Sequence, residues 1–433
     1  MNKLSEKQLN QIGARFVFDK ITPVTAFGQE MARAVAPYKK CDEAALFEEL
    51  DNVETAAGIG TAFDAVLSKF RDIRGSVKKL TGGVLSLVEL FEMKAFLLTL
   101  DDLADMPCVL NKTYKIGEAL ALLDPDGTRL RSFFISERYS DKLRGIRARK
   151  LAADNEEERL RVVSEEEDEE LNVRIRLTAL LSAFAADFNE NIKHIAWLDF
   201  VLAKGKIARE FRCVKPRKAQ KRAFFKNMYS PEVADALAAR ELCVTPTDIE
   251  ISPGVSVLTG ANMGGKSVAL KTLALNVYLF QCGMLVFADE AELSMFEYID
   301  FIFDDESSIY SGLSSFGAEI THINEMVKQA EQKFCLLILD EPAKGTNPRE
   351  GRAIAAGLAR YLNGLDSVSV LSTHYDNVAG DEYKCYVTVD YRLVEASTFV
   401  ENKVPNDALN ICRRLGLKGE LLELIEGELV LKD

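Results

Sequence analysis

Eight consecutive residues, Gly260, Ala261, Asn262, Met263, Gly264, Gly265, Lys266 and Ser267, fit the pattern G-x-x-x-x-G-K-[ST]. The chemistry of such a segment is phosphate binding. Glycines let the backbone curl until several N–H groups point at phosphate oxygens, and a helix that follows adds the positive end of its dipole. The context agrees, because the apolar run Val255 to Leu258 precedes the segment as a strand and a helical pattern follows Ser267. Lys266 is then expected to reach β- and γ-phosphates, and the Ser267 hydroxyl to ligate Mg²⁺. All eight residues are candidate nucleotide contacts.

Further along, Phe334 to Leu339 is wholly apolar and ends in Asp340-Glu341. This is the pattern of a central strand that delivers two carboxylates to the C-terminal edge of a sheet. Asp340 is expected in the Mg²⁺ shell. Glu341 is the candidate for polarising an attacking water, since phosphoryl transfer is catalysed by positioning and charge stabilisation. The alternative is a strand end whose two acids simply face solvent. His374 follows the next apolar run, Val368 to Leu371. A lone histidine is ordinarily unremarkable, but an imidazole at a strand's C-terminal end is placed to sense a γ-phosphate. Lys266, Glu341 and His374 therefore form the expected catalytic set, whereas His194 and His322 lack such a context.

These groups need a scaffold. From about residue 245 short apolar segments alternate with helical ones (VSVLTG, SVALKTLALNVYLFQ, FCLLILDE, SVSVLSTHY), which predicts an α/β domain over 245–433 with a mainly parallel sheet flanked by helices. Residues 1–244 read as an all-α domain. Apolar residues such as Leu85, Leu87, Val88, Leu90, Phe91, Phe96 and Leu97 fall there at helical spacing, with few Gly or Pro between them.

The 433 residues carry a formal net charge of -13, so long-range attraction to nucleic acid or to an anionic membrane is not the default and any basic surface must be local. Two stretches qualify. Arg138 to Lys150 is basic, but Asp154 to Glu170 follows it with ten carboxylates against two arginines. The acidic run reads as a solvated helix-hairpin tip, a disordered loop or a partner surface. Arg212 to Lys226 interleaves cations with Phe224 and Phe225 and reads as a phosphate contact or as a linker packed on its neighbour. The eight cysteines are scattered without a C-x-x-C pair, which argues against a zinc or disulfide framework and for reduced thiols in a cytoplasmic protein. No signal-peptide pattern and no membrane-spanning apolar stretch is expected.

Taken together, these residues resemble the MutS family of ABC-class ATPases. TGANMGGKS (Thr259 to Ser267), SGLSSFGAEI (Ser311 to Ile320), LLILDEPAKGTN (Leu336 to Asn347) and LSTHYDN (Leu371 to Asn377) stand in that family's order and spacing. The resemblance implies a P-loop ATPase domain, ATP and Mg²⁺ as ligands, and composite sites in a homodimer or in a heterodimer with a related chain. It places Ser314 and Ser315 in the signature segment that reaches the opposite subunit's nucleotide, Glu319 close to that segment, and Gly345-Thr346 in the loop crossing the interface. More weakly, ITPVTAFGQEM (Ile21 to Met31), FRDIRGSVKKLTGGVLS (Phe70 to Ser86) and IAWLDFVLAKGKIA (Ile195 to Ala208) resemble the family's helical core and lever, nearest its second bacterial branch. That implies a core and lever domain over 1–244, with a short clamp-like tip at about 138–175. VPNDALNICRRLGL (Val404 to Leu417) resembles the closing helices that clasp the partner subunit, here about 404–433.

The departures from the family shape the functional expectation. The resemblance opens on the core and ends at Asp433, so neither a mismatch-reading domain nor a C-terminal nuclease module is expected. Pro342 and Lys344 stand where Ile and Arg are commoner, and Leu313 where many members have Arg. The implied function is an ATPase that couples nucleotide binding and hydrolysis at a dimer interface to movement of helical levers, related by family to DNA mismatch repair. What the levers hold is open. DNA would be gripped through Arg138, Lys142, Arg144, Arg147, Arg149 and Lys150, although ten adjacent carboxylates would repel phosphates. A protein client is the alternative, as in MutS-like chains that look associated with reactivating cobalamin-dependent aminomutases. A third reading is a non-hydrolysing scaffold, against which the intact Lys266, Ser267, Asp340, Glu341 and His374 stand.

Overall fold

The computed structural model of the chain describes residues 2–260, 264–303, 313–375, 378, 383–389 and 391–396, with backbone alone at 313–315. The first half forms α1 (Glu6–Gln11), α2 (Ala14–Asp19), α3 (Ala26–Arg33), α4 (Glu43–Ile59), α5 (Asp64–Leu67), α6 (Arg74–Lys79), α7 (Leu87–Ala104), α8 (Gly117–Leu123), α9 (Asp141–Ala152), α10 (Glu156–Leu181) and α11 (Ala185–Glu210). There follow β1 (Arg217–Lys218), β2 (Ala223–Met228), α12 (Pro231–Ala238), β3 (Thr247–Ile251), β4 (Gly254–Thr259), α13 (Lys266–Gln281), β5 (Glu290–Leu293) and β6 (Tyr298–Ile302). The last described elements are α14 (Leu313–Ala330), β7 (Cys335–Asp340), α15 (Pro348–Asn363), β8 (Val368–Ser372), β9 (Lys384–Val389) and β10 (Arg392–Glu395). The closing helices expected at about 404–433 lie outside the described residues.

Two compact units result. One comprises the described parts of Met1–Lys20, Ala36–Glu54 and Ile207–Asp433, the other Ile21–Val35 and Thr55–Lys206. Sequence pattern alone drew a single division at 244.

The first unit carries two sheets. Six strands lie in the order β10-β9-β4-β8-β7-β6. The four contacts from β9 across to β6 are parallel, and β10 is an antiparallel edge strand. This is the mainly parallel, helix-flanked arrangement that the alternating pattern predicts. β7 and β8 are buried at every position, as expected of strands covered on both faces. Val257, Leu337, Leu339 and Leu371 pack with Ile323 and Met326 of α14 and with Ala355, Ala359 and Leu362 of α15. α15 starts cleanly because Asn347 caps it through the Glu350 N–H and Pro348 occupies its first turn. α13 is apolar on all sides and buried along nearly its whole length. At its end, the buried amide of Gln281 both accepts the Phe296 N–H at 3.0 Å and donates to the Phe296 carbonyl at 2.9 Å, so neither polar atom is orphaned.

The second sheet has the order β1-β5-β2-β3. It corrects part of the reading of Arg212 to Lys226: Arg217–Lys218 and the segment from Ala223 are strands of this sheet, with irregular chain between them. Ala223, Phe225 and Met228 face inward across a bulge in β2, while the intervening cations are neutralised within the unit. Arg217 pairs with Glu290 and Glu292, Lys218 with Glu43, Lys221 with Asp366, Arg222 with Glu250 and Glu292, and Lys226 with Glu290. No cation of these strands is left over for a phosphate backbone.

The helical unit is built on α7, whose N-terminus is fixed by a capping box between Ser86 and Glu89. Phe96 packs edge-on against Phe70 at 5.1 Å and near Phe188 at 6.1 Å. Lys94 and Asp124, both buried, meet at 3.0 Å. Burial alone would raise the Asp124 carboxyl, but the Arg129 N–H, Lys94 and the Thr128 hydroxyl together hold it below the usual range. The acidic run lies in α10, which runs antiparallel to α9, since Lys142 meets Glu169 while the later Lys150 meets the earlier Glu166, and Leu143, Ile146, Val162 and Val173 are buried.

Candidate functional site

β8 lies between β4 and β7 although it follows both in sequence. Ser372 is in register with Leu258 on one side and with Asp340 on the other. The segments leaving these three strands therefore emerge side by side: Gly260 after β4, Glu341 after β7 and His374 after β8. The crevice outside the carboxyl ends of parallel strands is where open α/β sheets bind ligands.

Gly260 has φ +125°, and a Cβ there would lie 2.2 Å from Thr388 Oγ1, so only glycine fits. Gly265, at φ +93°, is the residue from which α13 springs. Gly264 adjoins it, and Ala261, Asn262 and Met263 lie outside the described residues. Lys266 opens α13 and is 4% exposed. Its Nζ donates to the Gly260 carbonyl at 2.6 Å and stands 3.9 Å from Glu341 Oε1. Burial pushes this amine below the ordinary lysine range, opposed by the charges of Glu341 and Asp340. Ser267 is exposed in the same first turn.

Asp340, 5% exposed, accepts the Ser372 hydroxyl at 2.5 Å, and the same hydroxyl accepts the Glu341 N–H at 2.9 Å. Glu341 is left-handed, with φ +50°, and so is Ala343, with φ +64°. Three groups surround the Glu341 carboxylate: Lys266, Lys344 Nζ at 3.5 Å and His374 Nδ1 at 3.6 Å. His374 Nδ1 is buried and takes no hydrogen bond among the described residues, and its ring lies 4.4 Å from that of Tyr375. The carboxylate thus sits where it can orient a water, with a buried amine at the helix N-terminus and an imidazole with a spare nitrogen beside it.

The side chains of Ser314 and Ser315 lie outside the described residues. Gly345 lies near Phe316, and the Thr346 hydroxyl donates to Glu350 at 3.1 Å. Among the described residues no three of His, Cys, Asp and Glu cluster as a metal cage. Asp340 and Ser267 nevertheless offer the hard oxygen donors that suit Mg²⁺, an ion that takes one or two protein ligands and fills its shell with water and phosphate.

Several features escape a reading of the sequence. Ser372 joins the two carboxylate-bearing positions, but only strand register shows it. A largely apolar cavity of about 460 Å³ opens beside Gly265, lined among others by Tyr229, Leu242, Val244, Val268 and Tyr391. Tyr391 is left-handed, 59% exposed and close to Gly265, features set by a hairpin turn that no motif marks. His322, passed over as uninformative, meets Asp300 at 2.9 Å, and Asp300 also accepts from Gln8 and Tyr298. That hydrogen bond raises the histidine above its ordinary value despite half-burial.

Residues 256–404 match the family described as MutS domain V. The chain is 30% identical over 269 residues to the endonuclease MutS2 of Staphylococcus carnosus, covering 59% of this chain and 34% of that protein. It is 31% identical over 264 residues to an endonuclease MutS2 of Staphylococcus aureus, covering 58% and 36% respectively. The chain therefore spans about a third of the length of these curated relatives. Helical N-terminal half, parallel sheet, domain V match and likeness to MutS2 agree with one another: residues 256–404 match MutS domain V, and over about 58% of its length the chain is similar to MutS2 proteins.

Proposed function

We propose that the chain binds ATP with Mg²⁺ and hydrolyses it as an ABC-class P-loop ATPase. The observation that supports this most is the convergence of Lys266, Asp340, Glu341 and His374 at the ends of three adjacent strands, joined through Ser372. In this reading the Gly260–Ser267 backbone and Lys266 hold the phosphates, and the apolar cavity beside Gly265 takes the base. Ser267 and Asp340 hold Mg²⁺, which would neutralise charge on the β- and γ-phosphates. Glu341 orients the attacking water and accepts its proton, and the free Nδ1 of His374 reads the γ-phosphate. Ser314 and Ser315 complete a composite site across a dimer, made with a second copy or a related chain.

The rest of the mechanism follows from differential affinity. ATP regulates the helical unit only by preferring one arrangement of the protein over another. A DNA-related role is the coarse function shared with the family. For the client itself we favour a protein surface over DNA backbone, because the cations of 138–150 are each matched by a carboxylate. A cobalamin-dependent aminomutase is one such client, and the endonuclease named in the relatives stays with those longer proteins.

Turnover by the purified protein, with and without duplex DNA at low and moderate salt, tests this reading. Expected are ATP hydrolysis that is indifferent to DNA and a Glu341→Gln variant that retains ATP without cleaving it. A wild type that binds ATP but never hydrolyses it leaves only the scaffold reading. Stimulation by DNA that fades with salt restores the DNA client.

A further inference from the structure

The turn that leaves β7 is an improbable one for its sequence. Glu341 and Ala343 are both left-handed, a conformation that L side chains disfavour, and Pro342 between them pushes the preceding residue toward an extended conformation. Such a backbone persists only when its surroundings over-determine it. Pro342 has no N–H, so the turn offers two amide donors. The Glu341 N–H is held by Ser372 Oγ. The Ala343 N–H is held by Glu319 Oε1 at 2.9 Å, from α14. Ala343 is fully buried, so bulk water is not at hand to replace that carboxylate. A third restraint closes the far side, where Tyr375 Oη lies 3.5 Å from the Ala343 carbonyl. Tyr375 comes this close only because residue 351 is glycine: a Cβ there would lie 2.3 Å from the phenol oxygen.

We propose that Glu319 is a positioning residue for Glu341, acting through the Ala343 N–H to hold the left-handed turn that aims the Glu341 carboxylate at Lys266 and His374. Without Glu319 the turn relaxes toward the extended form its sequence prefers, and the carboxylate swings away from both. The latch also ties catalysis to α14. A shift of that helix would break the 2.9 Å contact and release the turn. This inference rests on the reading of the site as an ATPase.

The experiment compares wild type, Glu319→Ala and Glu319→Gln by ATP turnover, by direct nucleotide binding and by amide hydrogen exchange over residues 341–345 without nucleotide. Displacement of a catalytic group by about 1 Å costs about 100-fold, so Glu319→Ala should lose about 10- to 100-fold in kcat. Its ATP affinity should stay within about threefold, a kcat loss without a binding loss. Glu319→Gln keeps an acceptor oxygen at the same place and should recover most of the lost kcat. The Ala343 amide should exchange faster in the alanine variant only. Wild-type kcat in Glu319→Ala overturns the proposal, as does an equal loss in both variants or a loss of nucleotide affinity that accounts for the lost rate. A wild type without turnover overturns the ATPase reading and the positioning role with it, while unaltered exchange at Ala343 overturns the latch alone.

Discussion

Ser372 Oγ donates to Asp340 Oδ1 across 2.5 Å and accepts the backbone N–H of the next residue, Glu341, at 2.9 Å. One hydroxyl thus fixes both the carboxylate expected to hold Mg²⁺ and the start of the turn that carries the catalytic candidate. Ser372→Ala removes both bonds and leaves a largely buried donor and acceptor without a partner. The expected cost is about 1–3 kcal/mol in stability. Urea unfolding of the two proteins measures it. ATP turnover should fall with it, because Glu341 loses its anchor while Lys266 is untouched. An unchanged urea midpoint shows that the bridge contributes nothing.

Lys266 is buried, close to two carboxylates, and its amine is already pushed below the ordinary lysine range. The free protein therefore bears a desolvation cost at this position that the Gly260 carbonyl, Glu341 and Asp340 offset only in part, and a bound anion would relieve it further. Lys266→Met should leave the thermal midpoint of the nucleotide-free protein unchanged or raised. It should also abolish the rise that ATP and Mg²⁺ produce, a rise equivalent to about 2.7 kcal/mol when ligand stands about a hundredfold above its Kd. Differential scanning calorimetry with and without ATP reads both quantities. A variant that keeps the ATP-induced shift places the phosphates elsewhere.

Asp300 gathers Gln8, Tyr298 and His322 around one carboxylate, linking α1 to β6 and α14 within the same unit. The Asp300 hydrogen bond raises His322 above its reference value of 6.5. A raised histidine contributes stability that is fully present below the unfolded value and is lost as pH rises through the folded one. Stability should therefore decline from about pH 6.5 upward through the folded value, and His322→Gln should flatten that decline. Chemical denaturation at several pH values gives the slope. Parallel slopes in the two proteins would falsify a role for this pair.

The strands and their order of use were legible because each is a short apolar run ending in a recognisable polar group: Val255 to Leu258 before Gly260, Phe334 to Leu339 before Asp340, Val368 to Leu371 before His374. What that pattern cannot carry is lateral position. Nothing in the chain says that β8 inserts between β4 and β7, so the Ser372 bridge and the proximity of His374 to Glu341 emerge only from register. The same limit hid the Glu319 contact, since the acceptor and the Ala343 donor lie 24 positions apart on different elements. The acidic run is the helix-hairpin tip that its sequence suggests, but the individual charge pairs were hidden for a related reason. Composition showed a basic block and an acidic block as neighbours, whereas the fold lays one along the other.

That alignment gives the last prediction. Each cation proposed as a DNA contact is engaged: Arg138 with Asp126, Lys142 with Glu169, Arg144 with Asp141, Arg147 with Glu166 and Glu170, Arg149 with Glu165, and Lys150 with Glu166. The exposed pairs among them, such as Arg138 with Asp126 and Arg144 with Asp141, add little stability, whereas Arg147 with Glu166 and Glu170 is partly buried. Their consequence for binding is larger, because a cation already matched by a carboxylate releases few counterions when it meets a phosphate. The wild-type chain should bind duplex DNA weakly and with a shallow dependence on salt. Replacing Glu165, Glu166, Glu169 and Glu170 together by Gln frees Lys142, Arg147, Arg149 and Lys150, and the logarithmic salt slope should steepen by up to about 3–4, at about 0.9 per phosphate neutralised. Fluorescence anisotropy across a salt series measures the slope, and circular dichroism checks that α9 and α10 persist. A wild type that already binds steeply, and loses that binding on Arg147→Ala and Lys150→Ala, means that phosphates displace the carboxylates, and the hairpin is then a DNA interface whose acids act as a gate.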